Sequence, residues 1–164
     1  MEQVILVDDN NNQIGLADKA TVHTKNTPLH RAFSLFFFNS KGELLLTQRA
    51  LSKKTFAGVW TNTVCGHLSP GETVEEAAQR RLREELGIII SITVIKFIKD
   101  YRYRFADKSG IVENEICPIL VGFYDGEMKP NHEEVENYKW IKWEKWLEEI
   151  KKSPQGYSPW SVEE

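Results

Sequence analysis

Short apolar runs separated by polar turns fill the first part of the chain and predict β-strands. The apolar runs are QVILV at 3–7, HRAFSLFFF at 30–38 and ELLLTQ at 43–48. Asparagine and glycine within 39–42 favour a turn, so the last two runs are predicted to form a hairpin. The polar run at 8–13 predicts another turn, which leads into a second short strand.

A helical period replaces this pattern at residues 71–86, which read GETVEEAAQRRLREEL. Acidic residues occupy the first turn, good helix formers follow, and Gly87 is expected to end the helix. At about 100° per residue, Glu85 falls near the middle of the apolar stripe and Arg81 lies on the same side. A carboxylate turned inward needs an ion-pair partner or a metal ion. Two interpretations therefore stay open: an Arg81–Glu85 pair at the edge of the core, or a metal ligand.

The second half of the chain returns to strand patterns and carries one more helix. We predict one or two strands within 88–105 and a turn at 108–110. A strand is predicted over 111–124, either continuous or broken at Pro118, and another strand at 138–143. An amphipathic helix is predicted at 144–152, followed by a loop-like tail, SPQGYSPWSVEE. Several strands around one long internal helix and one late helix predict an α/β sandwich with a mixed sheet.

Composition and charge narrow the possible environments. The 164 residues suffice for one domain with a real core, so we expect a single domain over residues 1–164. The net charge of −3 argues against nucleic-acid binding by bulk electrostatics. The start of the chain, MEQVILVDDNNNQ, lacks the pattern of a signal peptide, and no apolar run approaches the length of a membrane span. Two cysteines are too few for a disulfide scaffold, so we expect a reducing, cytoplasmic location.

Acidic residues alternate with other residues in the stretch IVENEICPIL, at 111–120. On a strand, Glu113 and Glu115 would share one face, with Cβ atoms about 7 Å apart. The pattern fits a solvent-facing strand of alternating charge. It also fits a Glu-x-Glu unit that supplies a metal ligand and an acid or base from one rigid element.

Histidines and one cysteine are the remaining candidates for chemistry. His23, His30 and His67 lie in the first half of the chain, and mixed imidazole and carboxylate ligands suit Zn²⁺ or Mn²⁺. Taken singly, each histidine is equally compatible with a surface or capped position. Cys65 precedes Gly66, which is expected to allow a turn, on a segment that we predict to be a loop leading to the long helix. Cys65 is either a small buried residue or a reactive thiol.

Cys117 has no adjacent glycine and histidine as Cys65 has, and it is interpreted as structural. His132 is interpreted as an ordinary loop residue. Basic residues are either scattered surface charge or, in part, a clamp for a diphosphate together with a divalent ion; they are Lys19, Arg49, Lys53, Lys54 and Arg81.

Residues 66–88 read GHLSPGETVEEAAQRRLREELGI, and this segment resembles the Nudix box. That motif is a glycine, five residues, a glutamate, seven residues, Arg-Glu, an aliphatic residue, one residue, Glu-Glu, one residue and a glycine. The matching positions are Gly66, Glu72, Arg80, Leu82, Glu84, Glu85 and Gly87. Arg81 stands where hydrolases of this family carry glutamate, which removes one carboxylate from the helix-borne metal cluster that hydrolysis needs.

Further motifs resemble one branch, the type I isopentenyl-diphosphate isomerases. They are TNTVCGH, RALSKK, the spaced His23 and His30, SGIVENEICP and the terminal YSPW, and they span the chain from Lys19 to Trp160. The resemblance implies a Nudix-type α/β/α sandwich. It also implies a metal-dependent 1,3-allylic proton shift, through a tertiary carbocation, between isopentenyl diphosphate and dimethylallyl diphosphate in isoprenoid biosynthesis.

The same resemblance implies roles for individual residues. Cys65 and Glu115 would be the acid and base on opposite faces of the substrate, Tyr103 would assist Glu115, and Trp160 would face the hydrocarbon end. The diphosphate contacts would be Lys19, Arg49, Lys53 and Arg81. One divalent ion, Mn²⁺, Zn²⁺ or Mg²⁺, would be held by His23, His30, His67, Glu113 and Glu115. Glu85 and the backbone near Cys65 would help to hold a Mg²⁺ on the diphosphate.

The residue types suit this chemistry. An alkene is a poor base, so its protonation needs a well-placed acid and a stabilised cation, and a second group must then take a proton. Tryptophan is the best neutral partner for a cation, worth about 0.5–2 kcal/mol.

Two other functions stay open: a Nudix hydrolase of nucleoside diphosphate derivatives, and a non-catalytic Nudix-like binding module. We expect a small-molecule diphosphate ligand, no nucleic-acid or membrane partner, and a monomer, with a dimer as the alternative.

Overall fold

A mixed β-sheet between helices organises the chain. The computed structural model describes residues 2–91 and 95–164. The strands are β1 Gln3–Val7, β2 Gln13–Asp18, β3 His30–Phe38, β4 Glu43–Arg49, β5 Trp60–Thr61, β6 Val64–His67, β7 Ile95–Lys99, β8 Arg102–Ala106, β9 Val112–Ile116, β10 Ile119–Phe123 and β11 Val135–Lys142. The helices are α1 Lys19–Val22, α2 Val74–Leu86, α3 Trp143–Lys152 and α4 Pro159–Glu163, with a 3-10 turn at Pro154–Gly156.

Strand β3 lies at the centre of the sheet. It pairs antiparallel with β6, where Ser34 lies opposite Cys65, and parallel with β10, where Ser34 lies opposite Ile119. Strand β9 pairs parallel with the start of β3, where His30 lies opposite Glu115. The predicted mixed sheet is therefore confirmed, and β6 and β9 lie on opposite edges of β3.

Alternation along β3 divides the core into two layers. Phe33, Leu35 and Phe37 pack in one buried cluster with residues of α2, such as Leu82. Phe36 belongs to a second cluster that includes Trp146 of α3. With one helix packed in each cluster, the result is the predicted α/β/α sandwich.

The long helix begins later than the sequence pattern predicts. Thr73 is its N-cap and forms a capping box with Glu76, so the helix starts at Val74 and not at Gly71. Gly71 itself has φ +86°, a left-handed conformation that the α-helix excludes. The predicted end is confirmed, because Gly87 is the C-cap with φ 66°.

Most other predicted elements are confirmed in place. The strands at 3–7 and 30–38 are as predicted, and the late strand starts earlier, at Val135. The strand at 111–124 is broken, because β9 ends before Pro118 and β10 begins after it. Strands β7 and β8 account for the strands expected within 88–105, although residues 92–94 of that segment lie outside the described residues.

Two predicted loops are wrong. The tail is ordered into the 3-10 turn and α4, which bury Trp160 to 2% exposure. The segment TVCGH is mostly strand β6, because β3 offers it a partner that is distant in sequence. Gly66 makes no turn there. A Cβ at this position would lie 3.1 Å from Cγ of Arg81, so the missing side chain lets α2 approach β6.

Candidate active site

A cavity of about 630 Å³ collects most of the predicted site residues. Those that line it are Lys19, His23, Arg49, Lys53, Cys65, His67, Arg81, Tyr103, Glu113, Glu115 and Trp160. His30 and Glu85 are buried beside this lining. Each contacts a lining residue: His30 Nε2 lies 3.5 Å from Glu115, and Glu85 is bonded to Arg81 at 2.7 Å.

Sheet register explains why distant residues meet here. Residues that lie directly opposite each other on paired strands point to the same face. His30 lies opposite Glu115, Glu115 opposite Tyr103, and Ser34 opposite Cys65. Since His30 and Ser34 are four residues apart on β3, all of these side chains emerge from one face of the sheet.

Five of these residues form a compact group of potential metal ligands. His23, His30, His67, Glu113 and Glu115 each offer one ligand atom, and these atoms all lie within 4.8 Å of one another. Glu113 and Glu115 are 7% and 4% exposed, so the solvent-facing interpretation of β9 is wrong. Side chains from other elements cover them: Thr55 and His23 contact Glu113, and His67 and Tyr103 contact Glu115.

The donor atoms of this group fit a divalent cation. His30 Nδ1 lies 2.9 Å from the backbone carbonyl of Pro28, and a hydrogen bond there directs the lone pair of Nε2 into the group. His23 Nε2 and Glu113 Oε2 are 3.1 Å apart, yet both are buried without a hydrogen-bond partner among the described residues. Convergent imidazole and carboxylate atoms left unpaired in this way are what Zn²⁺ or Mn²⁺ coordination requires.

Glu115 links the histidines to Tyr103. Its Oε1 lies 2.9 Å from His67 Nε2, and its Oε2 accepts a hydrogen bond from the Tyr103 hydroxyl. Burial favours the neutral carboxyl, but the neighbouring imidazoles of His30 and His67 outweigh it and hold the pKa of Glu115 well below its usual range. Burial and the charge of Glu115 raise the pKa of Tyr103, so its hydroxyl remains a donor.

Polar groups surround the sulfur of Cys65, with Thr61 Oγ1 the most distant of them at 3.9 Å. Its thiol donates to Asn62 Oδ1 at 2.9 Å, Trp160 Nε1 donates to its sulfur at 3.3 Å, and Ser34 Oγ lies 3.7 Å away. Burial raises the pKa of the Cys65 thiol to about 12, so it carries its proton at neutral pH. Trp160 also stacks on Tyr103, with ring centroids 5.7 Å apart and an angle of 14°. An aromatic wall therefore connects the thiol to the Tyr103–Glu115 pair.

Basic side chains line the same cavity, so scattered surface charge is the wrong interpretation for them. Arg81 Nη2 bonds Glu85 at 2.7 Å and Glu134 at 3.0 Å, and Lys53 pairs with the same Glu134. The predicted Arg81–Glu85 pair is thus present. Lys19 pairs with Glu2 at 2.6 Å.

The guanidinium of Arg49 donates to the backbone carbonyls of Phe56 and Thr55, at 3.2 and 3.0 Å. Its central carbon lies 5.7 Å from the ring of Trp160, so Arg49 spans the charged and aromatic parts of the cavity. Lys54, which also lines the cavity, donates to the carbonyl of Ala20 at 2.6 Å.

Sequence reasoning missed several polar residues of the site. Asn62 accepts a hydrogen bond from the thiol of Cys65. It lies within the motif TNTVCGH, so the sequence could have indicated this residue. Thr55 donates to Glu113 Oε1 at 2.6 Å. Glu134 lies far along the chain from Lys53 and Arg81, so no local spacing indicates its role.

Comparison with known proteins places the chain in a family. The model of the NUDIX domain matches residues 28–161. The isopentenyl-diphosphate Delta-isomerase of Saccharopolyspora erythraea is 49% identical over 161 residues, which cover 98% of this chain and 82% of that protein. The chain belongs to the isopentenyl-diphosphate Delta-isomerases of the NUDIX domain family. The isopentenyl-diphosphate Delta-isomerase of Corynebacterium glutamicum (strain R) is 48% identical, and the match covers 100% of this chain and 89% of that protein. The isopentenyl-diphosphate Delta-isomerase of Klebsiella pneumoniae subsp. pneumoniae is 45% identical, and the match covers 98% of this chain and 87% of that protein.

Solved structures support the NUDIX fold. A Deinococcus radiodurans protein superposes with a TM-score of 0.70 at 23% identity, covering 93% of this chain and 90% of its own. The MutT protein of Methanosarcina mazei Go1 gives 0.66 at 22% identity, covering 83% and 89%. No helix within residues 2–91 and 95–164 is long and apolar enough to span a membrane.

Proposed function

We propose that the protein interconverts isopentenyl diphosphate and dimethylallyl diphosphate with Cys65 and Glu115 as its two proton carriers. One observation carries the assignment of these residues. Both side chains line one cavity, on strands that flank β3, and Trp160 and Tyr103 connect them. Family membership supports the reaction, and the arrangement of the side chains supports the roles.

The basic end of the cavity would bind the diphosphate. Lys19, Arg49, Lys53 and Arg81 supply positive charge on the same lining as the proton carriers. Binding there would leave the hydrocarbon part between Cys65 and Glu115, next to Trp160. Guanidinium and ammonium groups suit this task, because they donate several hydrogen bonds to phosphate oxygens.

The allylic shift needs one proton gained and one lost. One carrier delivers a proton to the terminal alkene carbon, whose π electrons form the new C–H bond and leave a tertiary cation on the adjacent carbon. The other carrier removes a proton from the carbon on the other side of that cation, and the C–H electrons become the new double bond. In the reverse reaction the two carriers exchange roles, because a reversible path uses each group as acid and as base.

Other residues would support these steps. The ring of Trp160 faces the developing cation and stabilises it. The hydroxyl of Tyr103 holds one oxygen of Glu115, so the second oxygen keeps a fixed direction. Glu115 is buried and Cys65 is partly buried, which would limit the access of water that could otherwise trap the cation.

Metal ions would act through the residues described above. His23, His30, His67, Glu113 and Glu115 would hold one divalent ion, Mn²⁺, Zn²⁺ or Mg²⁺, which would alter the proton affinity of Glu115. Glu85 and the backbone near Cys65 would help to hold Mg²⁺ on the diphosphate. Glu85 accepts two hydrogen bonds from Arg81, both at Oε1, so this ion pair does not use Oε2 of Glu85.

Isotope incorporation tests the proposal. The protein is incubated with isopentenyl diphosphate and Mg²⁺ or Mn²⁺ in deuterated water, and NMR follows deuterium in substrate and product. We expect deuterated dimethylallyl diphosphate from the unmodified protein, loss of turnover in Cys65→Ala and Glu115→Gln, and near-normal turnover in Cys117→Ala, the matched thiol control. No product and no deuterium uptake would refute the isomerase function. Release of phosphate from nucleoside diphosphate derivatives would instead indicate a NUDIX hydrolase.

A further inference from the structure

One buried threonine lies between the potential metal ligands and the basic part of the cavity. Thr55 belongs to the loop between β4 and β5 and is 5% exposed. Its hydroxyl donates to Oε1 of Glu113 at 2.6 Å. Its backbone carbonyl accepts a hydrogen bond from Nη2 of Arg49 at 3.0 Å. Thr55 therefore contacts a proposed metal ligand with its side chain and a proposed diphosphate contact with its backbone.

The two carboxylate oxygens of Glu113 have different surroundings. Oε1 accepts the hydrogen bond from Thr55. Oε2 lies 3.1 Å from Nε2 of His23, and both of these atoms are buried without a hydrogen-bond partner among the described residues. Carboxylates that bind a metal through one oxygen are commonly held by a hydrogen bond at the other. The Thr55 hydroxyl thus directs Oε2 of Glu113 toward the other potential ligands.

The direction of this hydroxyl is well defined. A threonine hydroxyl has a single hydrogen to donate, and Oε1 of Glu113 receives it. Oγ1 of Thr55 also lies 3.5 Å from Nη2 of Arg49. A guanidinium group only donates, so this second contact does not compete for the hydrogen.

Contacts that do not involve Glu113 hold the loop in place. The Arg49 side chain donates to two consecutive carbonyls, those of Thr55 and Phe56. The backbone N–H of Arg49 bonds the carbonyl of Val59 at 3.0 Å, and the ring of Phe56 packs edge-on against Trp160 with centroids 5.0 Å apart. The loop therefore presents the hydroxyl at a fixed position, and the carboxylate adjusts to it.

We propose that Thr55 is a positioning residue that orients Glu113 for binding of a divalent cation. This inference rests on the metal site of the proposed function. In Thr55→Val, Oε1 would stay buried beside a methyl group and lose its donor, so the carboxylate would no longer be held in one direction. A hydrogen bond that only stabilises the fold would affect unfolding, whereas an orienting hydrogen bond also changes the affinity for the ion.

Mn²⁺ binding to matched variants tests this role. Protein freed of metal with EDTA and then dialysed is titrated with Mn²⁺ in the absence of diphosphate, and electron paramagnetic resonance measures the free ion. We expect Thr55→Val to raise the dissociation constant about tenfold, because loss of a partner behind a metal ligand typically weakens binding about 10–100-fold. Thr55→Ser keeps the hydroxyl and should stay within about twofold of the unmodified protein.

A double variant tests whether the hydroxyl acts through Glu113. Glu113→Gln alone should weaken Mn²⁺ binding, because it removes a charged ligand. Thr55→Val combined with Glu113→Gln should bind Mn²⁺ no more weakly than Glu113→Gln alone.

Thr47→Val is the control for this series. Thr47 is 3% exposed, and its hydroxyl donates to the carbonyls of Asn62 and Thr63. This variant should melt at a lower temperature in EDTA but keep the Mn²⁺ dissociation constant of the unmodified protein. An unchanged dissociation constant in Thr55→Val, equal weakening in Thr55→Ser, or a further loss in the double variant would overturn the inference. Absence of Mn²⁺ binding by the unmodified protein would refute the metal site and the inference with it, while the assay in deuterated water tests the reaction separately.

Discussion

Arg81 and Glu85 form a buried ion pair whose disruption should be measurable. They are 7% and 8% exposed, one helical turn apart on α2, with Arg81 Nη2 2.7 Å from Glu85 Oε1. Arg81→Met keeps a long side chain but removes the charge. Glu85 then stays buried without its partner.

The expected cost follows from this burial. Removing one member of a buried pair costs about 3–5 kcal/mol, because the remaining charge is uncompensated. Glu134 also loses Arg81, but its side chain is 25% exposed and it keeps Lys53, so its share is small. We expect a loss of about 3 kcal/mol in the free energy of unfolding at pH 7.

The pH dependence of the loss has a defined sign. Burial raises the pKa of Glu85 and the charge of Arg81 opposes it, so removing Arg81 raises this pKa further. A carboxyl group with a raised folded pKa binds its proton more tightly when folded, and its contribution to stability falls as pH rises toward that pKa. The loss in Arg81→Met should therefore be smaller at pH 5 than at pH 8.

Urea denaturation in EDTA measures these effects. The double variant Arg81→Met, Glu85→Gln should recover most of the loss, because no buried charge remains. Arg83→Met, at an exposed position of the same helix, is the matched control and should change stability by less than about 0.5 kcal/mol. A loss in Arg81→Met below about 1 kcal/mol, or no recovery with Glu85→Gln, would refute this account.

Four further effects can be checked by denaturation. Leu82→Ala, at 0% exposure under the sheet, should cost about 2–5 kcal/mol in urea unfolding. Thr73→Ala removes the cap of α2 and should cost about 1 kcal/mol, with no change in its end at Gly87. Burial raises the pKa of Glu164 to about 8, so Glu164→Gln should gain stability over the unmodified protein as pH rises from 5 to 8 and then level off. Mn²⁺ added after EDTA treatment should raise the melting temperature, and Glu113→Gln should weaken that rise. For each measurement, no change or a change of the opposite sign would contradict the role that we assign to the substituted residue.

The helical part of the site could be predicted because its period is local. Counting about 100° per residue turns Glu85 inward, and the structure buries it as expected. The residue pattern left an ion pair and a metal ligand as alternatives. The structure contains the pair, and the same helix face also brings Arg81 to the cavity.

Strand β6 could not be predicted in the same way, because its pairing is not local. The segment TVCGH has no clear alternation, and its strand conformation depends on β3, about thirty residues earlier. For the tail, a local signal was present: Ser158 precedes Pro159, which suits the first turn of a helix. Contacts with Tyr103 and Phe56 bury Trp160 there. Glu134 and Glu164 gave no signal, because their partners are remote in sequence.

Strand β3 determines how the two proton carriers face each other. Glu115 lies opposite His30 on one edge of β3, and Cys65 lies opposite Ser34 on the other edge. The strands that carry them are thus two strand spacings apart, about 10 Å, and the two positions are also offset by four residues, about 13 Å, along β3. Their side chains point to the same face. That separation leaves room for a flat hydrocarbon between a thiol and a carboxylate. Because hydrogen bonds of the sheet fix it, and not a loop, the two groups keep their distance when substrate enters or leaves. His30 and Ser34, which face the same way from β3, then support one carrier each.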